Sequence, residues 1–69
     1  MGTLYDLCVR AGKELESRYG GDPIGLVRAK GELAAKSGFL VTMVSPNDVD
    51  DLQKRERLVI AATQMGIQL

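Results

Sequence analysis

Gly20-Gly21-Asp22-Pro23-Ile24 is the stretch on which the architecture turns. Asp22 can accept hydrogen bonds as a helix N-cap, and Pro23 follows at the first helical position, where a missing backbone amide costs nothing. A helix is therefore predicted from Pro23. Its apolar stripe is read through Ile24, Val27, Gly31, Ala34 and Ala35, with Arg28, Glu32 and Lys36 as an exposed ladder at four-residue spacing. Gly38 is the natural stop. Gly25 with Ala29, and Gly31 with Ala35, place small residues one turn apart, a spacing that permits a neighbouring helix to approach closely.

Upstream of this signal, Thr3 and Asp6 have the reciprocal capping logic of a helix start. Leu4, Leu7, Cys8, Ala11, Leu15 and Tyr19 then recur at three- or four-residue steps and form one buried stripe. Gly20-Gly21 should end that helix, because glycine takes the left-handed conformation without a side-chain penalty.

Downstream, Phe39-Leu40-Val41-Thr42-Met43-Val44 is too short for periodicity to decide between strand and helical turn. A lone strand would find no edge to pair with in this chain, so a non-strand element is expected. Ser45-Pro46-Asn47-Asp48 repeats the start signal, and a third helix is predicted from it to about Met65. Asp48, Asp50 and Asp51 would occupy its first turns, with Asp50 to Lys54 and Asp51 to Arg55 as ion pairs. Gly66-Ile67 closes it as a glycine C-cap with an apolar clasp. The expected fold is all-α: residues 1–69 as one small domain of three principal helices, orthogonal or bundle-like, with residues 39–44 as a short fourth element.

The 69 residues can bury only about 60% of the surface that the unfolded chain exposes. With one cysteine, Cys8, and no histidine, neither an internal disulfide nor an ordinary structural zinc site is available. A single cysteine fits a reducing compartment, and a cytoplasmic location is the expectation. Met1-Gly2-Thr3-Leu4-Tyr5-Asp6 lacks the order of a signal peptide, and Asp6 stands where a myristoylation motif needs Ser or Thr. The longest uncharged apolar stretch, Gly38 to Val44, is far short of the roughly 20 residues that cross a bilayer.

Most chemistry is removed by composition. Without histidine there is no Ser-His-Asp set, and Cys8 has no imidazole to make it a thiolate. Counted from Asp48, the places where a calcium loop needs glycine and glutamate hold Gln53 and Val59. Gly20-Gly21-Asp22-Pro23-Ile24-Gly25 lacks the lysine of a phosphate-binding loop. No enzyme activity, metal or cofactor is expected.

Nine basic residues balance nine acidic ones, which gives the whole chain no electrostatic reason to seek nucleic acid. Lys54, Arg55 and Arg57 are the one local basic cluster, and aspartates one turn earlier offset it. The run from Glu32 to Ser45 does have helix-turn-helix spacing about Gly38, so a DNA-binding domain is the alternative function. Against it, Pro46 would break the recognition helix, and residues 39–51 hold three acids and no base.

Leu58-Val59-Ile60-Ala61-Ala62 covers nearly the whole circumference of the third helix, and a helix apolar all round is buried all round. Three helices of this length can cover one side of it but hardly both, so either the Phe39–Val44 run wraps over it or another chain does. The expected partner is another protein chain, a second copy first of all. The expected function is a non-catalytic interaction module whose surface combines Phe39, Leu40, Met43, Leu58, Val59, Ile60 and Met65.

Overall fold

The computed structural model describes residues 3–69; Met1 and Gly2, on which the expectations about export and lipidation partly rest, lie outside the described residues. The chain is all-α, with helices α1 (Leu4–Arg18), α2 (Pro23–Ser37) and α3 (Leu52–Gln64) and a 3-10 turn at Val41–Met43. No described residue is in a strand. The radius of gyration, 11.1 Å, matches the roughly 11 Å of a compact chain of this length.

α1 begins where its capping box predicts. The Thr3 hydroxyl accepts from the Asp6 amide at 3.4 Å, and the Asp6 carboxylate accepts from the Thr3 amide at 3.2 Å. Its stripe of Leu4, Leu7, Cys8, Ala11 and Leu15 is buried throughout. The helix stops differently from the expectation: Tyr19 is the C-cap, and neither Gly20 nor Gly21 has a positive φ. The Asp22 amide donates to the Tyr19 carbonyl at 2.9 Å, a turn that needs no left-handed residue.

In α2 the caps are as predicted and the face is reversed. Asp22 accepts from the Gly25 amide at 2.9 Å, Pro23 opens the helix, and Gly38 at φ 82° closes it. The buried side, however, is Ala29, Leu33 and Ser37, with Leu26 packed beside them. Ile24 and Val27 are 69% and 70% exposed, and Gly31 and Ala35 also face outward. Both sides of α2 are apolar, and the core took Leu26, Ala29 and Leu33 and left Ile24 and Val27 outside. Of the small residues only Ala29 packs into the core; Gly31 and Ala35 face outward. Gly25 leaves room for the Asp22 carboxylate and the Tyr19 ring, while a Cβ on Gly31 would meet nothing within 4 Å.

The segment after Gly38 is the non-strand element expected, but α3 starts six residues later than Pro46. Ser45-Pro46-Asn47-Asp48 closes on itself: the Ser45 amide donates to the Asp48 carboxylate at 2.7 Å and the Asp48 amide to the Ser45 carbonyl at 3.0 Å. Asp51 is the true N-cap, accepting from the amides of Gln53 and Lys54. The two predicted ion pairs are replaced by one, Asp50 to Arg55 at 3.2 Å. Asp50 is drawn away from a helical role because its other oxygen accepts from the Leu4 amide at 2.8 Å, satisfying a free donor at the start of α1.

α3 ends as predicted. Gly66 has φ 78°, the Ile67 amide donates to the Ala62 carbonyl at 2.8 Å, and Ile67 is buried. The Arg18 guanidinium caps the same end, donating to the carbonyls of Met65 and Gly66. Leu58, Ala61 and Ala62 face a single core shared with α1 and α2. The assignment of α2 faces makes a direct prediction. Leu33→Ala should cost about 2–5 kcal/mol in urea unfolding, whereas Val27→Ala should cost under about 1 kcal/mol; equal losses would restore the opposite face to the core.

Candidate interaction surface

The seven residues expected to form one surface divide in the structure. Leu58 has no exposed surface and belongs to the core, because it lies on the edge of α3 that meets α1 and α2. Phe39, Val59 and Met65 are half-buried against that core, while Leu40, Met43 and Ile60 are exposed. The circumference of α3 is thus not covered all round: Ile60 is 52% exposed.

Of the remaining residues, Phe39 and Leu40 gather in one place and Val59 and Ile60 in another. Phe39 lies by Lys54, whose ammonium stands 5.6 Å from the ring centroid. Val59 and Ile60 are about 140° and 120° around the helix from Lys54, and there they line a shallow groove of about 350 Å³ with Leu52, Arg55 and Glu56. Phe39 and Leu40 instead line a hollow of about 330 Å³ with Ala34, Ala35 and Gly38. Neither hollow contains both sets.

That second hollow continues the outward face of α2. At 100° per residue, Ile24, Val27, Gly31, Ala34 and Ala35 occupy one side of the helix, and Gly38 and Leu40 extend it past the C-cap. Leu40 is 65% exposed. An apolar face therefore runs the length of α2, with bulky side chains at its start and a hollow at its end. The sequence stripe had found these residues but assigned them to the core. The available signal was the competing spacing Leu26, Ala29, Leu33, a second apolar stripe on the opposite side.

The polar groups offer little besides. Two members of the basic cluster are engaged, Lys54 with Phe39 and Arg55 with Asp50, which leaves Arg57 as its exposed member. Residues 39–51, the would-be recognition helix, form the 3-10 turn and irregular chain, so no second helix follows Gly38 after a short turn. Among the described residues no three cysteine or carboxylate side chains gather as a metal-ligand group. No described helix is long and apolar enough to cross a membrane.

Cys8 sits at the edge of a hollow of about 510 Å³ between α1 and the 3-10 segment, beside Lys13, Glu16 and Lys30. It is 7% exposed, and burial pushes its thiol up to about 11. The unfolded chain releases this proton near pH 9 and the folded chain keeps it to about 11. Stability should therefore fall as pH rises through that interval, and the fall should disappear in Cys8→Ala. Alkylation by iodoacetamide at pH 8 should be slow until urea unfolds the chain; fast native labelling would show an activated thiol.

Comparison with known proteins returns no match: neither a protein-family model, nor a curated protein, nor a solved structure matches this chain.

Proposed function

We propose that this chain is a non-catalytic interaction module that works by packing against another protein chain, in the first instance a second copy of itself. The observation that carries the reading is the outward apolar face of α2, with Ile24, Val27 and Leu40 each about two-thirds exposed. These residues are surplus to a core that is already closed by Leu4, Leu7, Leu15, Leu33, Leu58 and Ile67. A contiguous apolar face of this kind, rimmed here by Arg28, Glu32 and Lys36, characterises surfaces that meet a partner.

The polar groups fit the same reading. Buried side-chain oxygen and nitrogen atoms among the described residues all have partners, and the one thiol is held protonated. What the fold presents to its surroundings is apolar shape framed by charge.

Sedimentation from low to high micromolar concentration tests the proposal. The mass should rise with concentration from one chain to two. A single-chain mass at every concentration would retire the self-association reading.

A further inference from the structure

The outward face of α2 is complementary to itself. Gly31 lies midway between Ile24 and Gly38, seven residues from each, and midway between Val27 and Ala35, four from each. A two-fold axis through Gly31 that sets two α2 helices antiparallel therefore opposes Ile24 to Gly38 of the second copy and Val27 to its Ala35. The large side chains of each copy meet the small ones of the other. The hollow lined by Ala34, Ala35, Gly38, Phe39 and Leu40 lies where the opposing Ile24 arrives. Gly31, with nothing within 4 Å of its Cβ position, lets the two backbones cross closely.

The charges agree with the same axis. In an antiparallel pair, residues on one flank of a helix face the same flank of its partner. Arg28 and Glu32 share a flank of α2 and are both exposed. Two-fold pairing brings Arg28 of each copy within about a 3 Å axial offset of the other's Glu32, making two opposite-charge contacts at the rim against the one like-charge approach of the two Glu32 at the same offset. Within one copy Glu32 has only Lys36, at 4.0 Å. On the other flank Lys30 is half-buried and turns towards the hollow beside α1, away from the seam.

We infer that a second copy of this chain docks antiparallel along α2, the helices crossing at Gly31 and each Ile24 entering the other copy's hollow at Gly38 and Leu40. This inference rests on the self-association reading and specifies its geometry. The face is one helix of 15 residues, about 22 Å long, so the contact is smaller than the roughly 800 Å² per partner of a standard stable complex. A reversible dimer forming at micromolar concentration follows.

Gly31→Arg is the decisive variant. The site is open in the single chain and arginine is a better helix former than glycine, so fold and melting temperature are kept or improved. In the pair it places two like charges at the axis, and dimerisation should weaken at least tenfold. Ile60→Asp, on the far side of α3, should leave dimerisation unchanged. Gly31→Cys should form a disulfide-linked dimer under mild oxidation much faster than Ser17→Cys, on the exposed side of α1.

A Gly31→Arg chain that dimerises like the wild type overturns the inference, as does a Gly31→Cys chain that cross-links no faster than Ser17→Cys. Loss of the dimer in Ile60→Asp alone moves the interface to the Leu52–Ile60 groove and overturns this geometry while the module reading stands. A monomeric wild type overturns this geometry together with the self-association reading on which it rests.

Discussion

Burial of the Leu58, Ala61 and Ala62 edge of α3 against α1 and α2 at once is the contact on which the other elements depend. The chain has no disulfide to constrain it, and its core side chains are few, so each must close against several elements. The two alanines let the helices come near enough for Leu4, Leu7, Leu15 and Leu33 to share one interior with Leu58 and Ile67. In an interior packed to crystal-like density, this sharing leaves little tolerance for a displaced helix.

Polar contacts at both ends of α1 fix its position relative to α3. At one end Asp50 accepts from the Leu4 amide and pairs with Arg55; at the other Arg18 reaches the carbonyls that close α3. The Leu4–Asp50 and Arg18 contacts satisfy groups that a helix terminus leaves free, and each crosses more than forty residues of sequence. Their energy is modest because they are solvent-exposed or nearly so, but their direction sets which end of α1 meets which end of α3.

This arrangement leaves α2 with a second apolar side. The core covers one side of this 15-residue helix, so the choice of which side to bury also decides what it presents. Leu26 and Leu33 inside mean Ile24 and Val27 outside. The outward face is thus a consequence of the same packing that makes the core, and it is the feature on which the proposed association depends.

Local signals were legible because the interactions behind them span three to five residues. The Thr3–Asp6 box, the Asp22-Pro23 start, the Gly38 stop and the Gly66-Ile67 close depend on nothing outside their own turn. Sequence by itself therefore determined that the chain is all-α, where α1 and α2 lie, where α3 ends, and that Cys8 belongs to the core. Tertiary structure decided the rest. Ser45-Pro46-Asn47-Asp48 closed as a turn and Asp51 capped α3, with Asp50 held by the Leu4 amide from the far end of the chain. The faces of α2 and the division of the seven surface residues were settled by competition between apolar stripes for one small interior. That competition is a property of the assembled volume, and no window of sequence contains it.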